Sequence, residues 1–212
     1  MNVEPFFTVL NTECSEITEK RSRFIATIAH VESEEEAFEF INKIKSKYWD
    51  ARHNVYAFTI DSGNIARYSD DSEPHGTAGK PVLDVIVGNN LKNTVIVVTR
   101  YFGGILLGTG GLVRAYSSAA ANIVKCSQIY EMRECVSANI ECDYNQFDTV
   151  KSILEDFSAE ITATDFQTSV IITANIEEEF FEDFTAKLVN SLNGRVKITP
   201  NDKFFAPFKK IF

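Results

Sequence analysis

The sequence predicts an α+β chain of two domains, residues 1–132 and 133–212. Three observations carry that expectation. The first half mixes strand-like and helix-like stretches without a regular strand–helix–strand repeat, which favours an α+β layer fold over a doubly wound sheet. The second half spells β-α-β-β-α-β, the ferredoxin-like order. The pattern changes near residues 129–133 with no run of Pro, Gly or Ser, so docked domains are expected rather than loosely tethered ones.

Taken in order, residues 22–31 alternate as a strand, and Ser33-Glu-Glu-Glu36 forms a capping box that opens a helix to about Tyr48. Ala37, Phe40, Ile41 and Ile44 give that helix its apolar face. Residues 54–61 and 64–70, joined by Ser62-Gly63, read as a β-hairpin. A short helix near 80–87, a strand over 94–99 and a helix over 112–125 complete the first domain. The second domain is expected to run strand 134–142, helix 146–157 behind the cap Asn145, and strands 159–165 and 168–176. It then continues as helix 178–192, stopped by Asn193-Gly194, and strand 195–199.

Composition bounds the function. At 212 residues and 44% hydrophobic content the chain can fill such cores. No apolar run nears the roughly 20 residues of a membrane span, and Met1-Asn-Val-Glu-Pro lacks a secretory pattern, so a cytoplasmic location with no membrane partner is expected. The four cysteines, Cys14, Cys126, Cys135 and Cys142, show no Cys-x-x-Cys pairing and read as reduced thiols, with Cys135 and Cys142 on opposite sides of one strand. A net charge of −9 speaks against indiscriminate binding to nucleic acid, and no DNA partner is expected. That charge is uneven. Residues 75–125 carry Lys80, Lys92, Arg100, Arg114 and Lys125 against the single acid Asp84, whereas residues 134–212 hold 14 acids and 7 bases. The acidic run Glu177, Glu178, Glu179, Glu182 and Asp183 reads as a solvated helix start.

The electropositive stretch also holds eight of the ten glycines, between Gly76 and Gly111. Such clustering implies backbone that turns with φ > 0 or approaches something closely. Arg100-Tyr-Phe-Gly-Gly-Ile-Leu-Leu-Gly-Thr-Gly-Gly-Leu-Val-Arg114 lies between a predicted strand and a predicted helix, the order of an anion cradle. The candidate anion or RNA contacts are therefore Arg52, His53, Thr77, Gly79, Lys80, Arg100, Gly103, Gly104, Gly108, Thr109, Gly110, Gly111 and Arg114. If Gly110 or Gly111 starts the helix, Arg114 opposes its dipole, and an anion nearby would relieve that conflict. The anion is either an internal carboxylate or an external phosphate.

Asp70, Asp71 and Glu73 supply the internal carboxylates. Two readings stand: an ion-pair network with Arg100 and Arg114 that orders the glycine loops, or a weak Mg²⁺ site completed by phosphate oxygens. No tightly held metal is expected, because there is no Cys/His ligand set and the carboxylates are able to pair with arginines; no cofactor is expected, and neither the nucleotide-triphosphatase loop nor the Rossmann fingerprint is present. His53 and His75 have the chemistry of an acid or base, without a nucleophile motif beside either, and His30 reads as structural. Tyr101, Phe102 and Tyr116 are able to stack bases, but beside glycines they read first as core.

Three blocks now stand out together: Ala51-Arg-His-Asn-Val-Tyr-Ala57, Ser69-Asp-Asp-Ser-Glu-Pro-His-Gly-Thr-Ala-Gly-Lys-Pro81 and Val98 to Tyr116. They closely resemble the signature blocks of the IMPACT family, in its bacterial YigZ-like branch. The resemblance implies a first domain similar to the fold shared by ribonuclease PH and domain IV of elongation factor G. It implies a second domain similar to that factor's ferredoxin-like domain V, and translation as the setting. Eukaryotic members regulate translation through an additional N-terminal domain, and no catalytic residue of the family carries over to this chain. Two function classes follow. One is a translation-associated regulator that binds structured RNA or the ribosome; the other is an enzyme acting on a small phosphorylated ligand in the glycine-rich cleft.

Overall fold

In the computed structural model, which describes residues 5–60 and 64–209, the chain divides into one unit of residues 6–131 with 208–209 and another of residue 5 with 132–207. The first unit contains β1 (Phe6–Val9), β2 (Glu13–Glu19), β3 (Ser22–His30), α1 (Glu34–Lys47), β4 (His53–Ile60), β5 (Ile65–Ser69), α2 (Gly79–Gly88), β6 (Thr94–Tyr101) and α3 (Thr109–Cys126). Strands β2-β3-β6-β4-β5 form an antiparallel sheet in that order. The apolar run Val95-Ile-Val-Val98 sits at its centre and is buried on both faces. One face meets α2 and α3, with Phe24, Ala26, Val55, Ile96 and Val98 packed among Val82, Ile86, Ala119 and Ile123. The other meets α1, with Val95, Val97 and Phe58 against Ala37, Ile41 and Ile44. Three layers result, which explains why β6 shows no polar alternation.

Local signals account for most boundaries. Ser33 caps α1 through its Oγ, which accepts from the Glu36 N–H at 3.1 Å, while the Glu36 carboxylate reaches one residue further back to the Glu32 N–H at 2.8 Å. Strands β4 and β5 pair as the expected hairpin down to Ile60↔Ile65, and its turn residues Ser62 and Gly63 lie outside the described residues. The start of α3 differs from expectation: it begins at Thr109, so Gly110 and Gly111 belong to the first turn and Gly108, at φ 71°, is the cap. Helix propensity argues against glycine there, but the buried face of Leu112, Ala115, Tyr116, Ala119 and Ile123 holds the helix to the sheet and carries the first turn along.

The second unit contains β7 (Ile129–Cys142), α4 (Phe147–Asp156), β8 (Glu160–Phe166), β9 (Val170–Glu177), α5 (Phe181–Ser191) and β10 (Lys197–Lys209). Its strand order is β10-β7-β9-β8, and the β-α-β-β-α-β succession is as read. Both helices bury their apolar residues, Val150, Ile153, Leu154, Phe184 and Leu188, in one cluster with Ala138, Ile140, Ile172 and Ala174. Asn145 is not the cap of α4. It lies inside a 3-10 turn entered at Asp143, whose N–H donates to the Gln146 Oε1 at 3.0 Å. Glu178–Phe180 likewise form a 3-10 turn ahead of α5, and Gly194, at φ 74°, closes that helix by donating to the Val189 carbonyl at 2.9 Å. The last strand extends well beyond the expected 195–199 despite Pro200 and Pro207, because an edge strand has one side on which missing N–H groups leave no ladder broken. Cys135 and Cys142 fall on opposite faces of β7, both buried, and burial pushes the Cys135 thiol up to about 11. No helix among the described residues is long and apolar enough to cross a membrane.

Candidate functional site

The segment from Asp70 to Ala78 links β5 to α2, and each of its three acids is committed to a different part of the first unit. Asp70 faces the start of α2, its oxygens accepting N–H groups of Gly76 (2.8 Å), Ala78 (3.0 Å) and Gly79 (2.8 Å). It thereby supplies the cap that Ala78 cannot. Burial alone would raise its pKa, but these three bonds to the charged form outweigh it and hold the carboxyl below the usual range. Asp71 and Ser72 both have φ > 0, at 42° and 68°, and this bend turns the Asp71 carboxylate back to Lys45 Nζ (3.0 Å) and the Asn54 N–H (2.6 Å). The Asp71 carbonyl lies 2.8 Å from His53 Nδ1.

Glu73 goes inward. Its side chain is 4% exposed, and Oε1 accepts from Arg100 Nη1 at 2.6 Å and from the Tyr116 hydroxyl at 2.8 Å, with His53 Nε2 at 3.8 Å. Arg100 in turn is flanked by the rings of Phe24 and Phe102, at 5.5 and 5.7 Å from the guanidinium carbon. Burial and the neighbouring Glu73 charge push the Tyr116 phenol far above its ordinary value, so it stays protonated and donates to Glu73. His53 and Arg100 are cross-strand partners on β4 and β6, which is how two separate sequence blocks meet. The sequence alone does not reveal Tyr116, Lys45 and Asn54 as members of this network. A tyrosine on the buried side of α3 is the one available signal, since a buried hydroxyl needs a partner.

The glycines separate by reason. At Gly103 a Cβ would lie 2.0 Å from the Arg21 carbonyl carbon, and at Gly79 2.7 Å from that of Ser69, so both are close approaches between protein segments. Gly76, Gly104 and Gly108 have φ of 72°, 83° and 71°. Thr77 is buried and donates to the Pro74 carbonyl at 2.6 Å, and Lys80 pairs with Asp84 one turn along α2. Arg114 differs from the expected network: it is exposed, and among the described residues no carboxylate pairs with it. The earlier start of α3, at Thr109, puts it in the second turn of the helix. Arg52 is exposed as well, and Phe102, which reads as core in the sequence, is 42% exposed, whereas Tyr116 is fully buried and unable to meet a base. Among the described residues no group of three or more His, Cys, Asp or Glu converges as a metal site, and Asp70, Asp71 and Glu73 point to separate partners.

A brace and an open face thus adjoin along one stretch of chain. The brace is Asp70 to Gly79 with Arg100 and Tyr116; the open face is the entry to α3, where Gly108, Thr109 and Gly110 are exposed, no side chain caps the helix and no acid occupies its first turn. The sequence profile of the Impact N-terminal domain matches residues 20–124, which include both parts, and that of a domain of unknown function (DUF1949) matches residues 140–195. An IMPACT family member of Haemophilus influenzae is 39% identical over 183 residues, 84% of this chain and 88% of the relative. The IMPACT family member YigZ of Escherichia coli is 32% identical over 182 residues, 84% of this chain and 89% of the relative. A solved structure described as the crystal structure of a hypothetical protein aligns with a TM-score of 0.60 at 30% identity, covering 94% of this chain and 98% of its own. Matched along both units, in profile and in whole-length relatives, the chain belongs to the IMPACT family.

Proposed function

We propose that the protein is a non-catalytic, translation-associated regulator that binds structured RNA or the ribosome through the entry to α3. The observation that carries this reading is Arg114: an exposed guanidinium with no carboxylate partner among the described residues, just behind an uncapped helix start without an acid. Free N–H groups, the helix dipole and a cation together favour an external phosphate. The surplus of bases over residues 75–125 on a chain of net charge −9 steers such a partner to this unit. The expected likeness to domains IV and V of elongation factor G belongs with this reading. The rival, an enzyme acting on a small phosphorylated ligand, needs Asp70, Asp71, Glu73 and His53 free to meet a substrate. Each instead holds a backbone group or a side chain of the fold.

Co-sedimentation with ribosomal subunits and binding of labelled structured RNA, each at low and high salt, test the proposal. Arg114→Gln is expected to weaken association and to lower the salt slope by about one contact while leaving folding intact. Arg100→Gln is the contrast: it strands buried Glu73 and is expected to lose about 3 to 5 kcal/mol of stability. Undiminished association by a well-folded Arg114→Gln protein overturns the assignment of this face.

A further inference from the structure

The loop that carries the chain from β6 into α3 is held at both ends and apolar at its tip. At the first end Gly103 donates to Ser22 Oγ at 3.2 Å and lies too close to the Arg21 carbonyl to admit a Cβ. At the other end Leu107 is buried in one cluster with Leu112 and Ala115, and a Cβ on Gly111 would stand 3.1 Å from that of Leu107, so the loop is seated on the first turn of the helix. Gly104 and Gly108, at φ of 83° and 71°, turn the chain on either side of Ile105-Leu106-Leu107. Leu107 anchors the loop, while Ile105 and Leu106 are 41% and 84% exposed; Leu106 is the most exposed large hydrophobic side chain among the described residues. Turn positions are ordinarily polar, so a bare leucine on a fixed turn is free to enter a partner. The surroundings favour a polyanion. No acid occurs from residue 85 to residue 130, and Glu73, which reaches Arg100 and Tyr116 from the preceding segment, is fully engaged by them. The β2–β3 turn against Gly103 carries Glu19 together with Lys20 and Arg21, so it adds no net negative charge. Arg114 folds back over the first turn of α3, with Nη1 3.7 Å from where a Cβ on Gly110 would stand, and so lies at the end of the helix from which the loop rises.

We infer that Ile105 and Leu106 form an apolar wedge that enters the interrupted base stack at a bulge of the structured RNA bound at the entry to α3. The inference rests on the RNA-binding reading and names the feature of the RNA that is recognised. Aliphatic side chains of proteins that grip a nucleic acid by its backbone enter between bases and unstack them. Opening an intact step costs about as much as one buried leucine returns, so the wedge gains only where the stack is already broken. Two aliphatic side chains cover far less than the roughly 800 Å² a side of a stable protein interface, which favours RNA over a protein partner.

Two hairpin RNAs of one sequence, with and without a single-nucleotide bulge, test it on the intact protein, with 2-aminopurine beside the bulge position to report stacking. The parent is expected to bind the bulged hairpin about 10-fold more tightly than the continuous one and to raise its 2-aminopurine fluorescence saturably. Leu106→Ser is expected to lose both the preference and the signal while keeping the salt slope, because no charge changes. Arg114→Gln is expected to weaken both hairpins alike and to lower the slope. Leu106 is exposed, so the Leu106→Ser protein is expected to fold, which circular dichroism checks; Ile105→Ser, at the second exposed position, is expected to act in the same direction. Equal affinity of the parent and Leu106→Ser for the bulged hairpin overturns the inference, and if Arg114→Gln still weakens that binding the broader reading stands. Equal affinity of the parent for the two hairpins also overturns it. A parent that is dimeric by light scattering and becomes monomeric in Leu106→Ser would assign the tip to a second copy of the chain instead. Absence of binding to either hairpin removes the wedge, and absence of binding to ribosomal subunits as well sinks both readings.

Discussion

Asp70 gathers three N–H groups from residues six, eight and nine positions ahead, so one short side chain sets the bend of the loop and starts α2. Its folded pKa is depressed, so the stabilisation is present above the unfolded carboxylate value, about 3.9, and is lost as pH falls through the folded value. Asp70→Asn keeps one acceptor oxygen and loses the other with the charge, and is expected to lower stability by about 1 to 2 kcal/mol at neutral pH. The gap to the parent should close as pH falls through the depressed folded value, below the unfolded carboxylate range, where the parent's own carboxyl becomes protonated. Urea unfolding across that range checks it, and a gap independent of pH would show that the charge is not what matters. Asp70 is readable in the sequence as an acid beside glycines, but its partner is not: the same residue types fit a metal loop equally well until the N–H groups are located.

Elements show the same split between composition and reason. Gly103 and Gly88 are both glycines of the rich stretch, yet a Cβ at Gly103 would collide with the Arg21 carbonyl at 2.0 Å, whereas at Gly88, the last residue of α2, nothing lies within 4 Å. Gly103→Ala is expected to displace the β2–β3 turn and to destabilise by about 1 to 3 kcal/mol or more, as overpacking does. Gly88→Ala is expected to be neutral or to stabilise by up to about 1 kcal/mol, since it restricts the unfolded chain without a clash. Thermal melts of the two variants give the comparison, and equal effects would mean that backbone freedom rather than space governs both. The start of α3 belongs at this scale too. Local propensity places it at Leu112, and tertiary packing of Leu112, Ala115 and Tyr116 draws it back to Thr109.

Across the whole molecule, each unit encloses its own apolar cluster, and the division between them falls within β7. We expect the two to unfold independently. Phe184 is fully buried in the second cluster with its ring 5.6 Å from that of Phe157, so Phe184→Ala should cost about 3 to 5 kcal/mol there. Hydrogen exchange of the intact chain is then expected to lose protection in β8, β9 and α5 while β6 stays protected. Equal loss in β6 would show one cooperative unit.

Periodicity and punctuation by themselves determined the helices, the strands of the second unit and the presence of an electropositive, glycine-rich stretch, because amphipathic spacing, caps and turn residues act over a few neighbours. Only the tertiary structure decided which glycines serve close contacts, that Arg100 is braced by Glu73 and Tyr116 while Arg114 stays open, and that Tyr101 reaches Asp50. Those facts depend on cross-strand register, such as His53↔Arg100 and Arg23↔Tyr101, which joins residues about 50 to 80 positions apart. Register follows from burying both faces of the sheet at once, a condition on the whole chain that no local window contains.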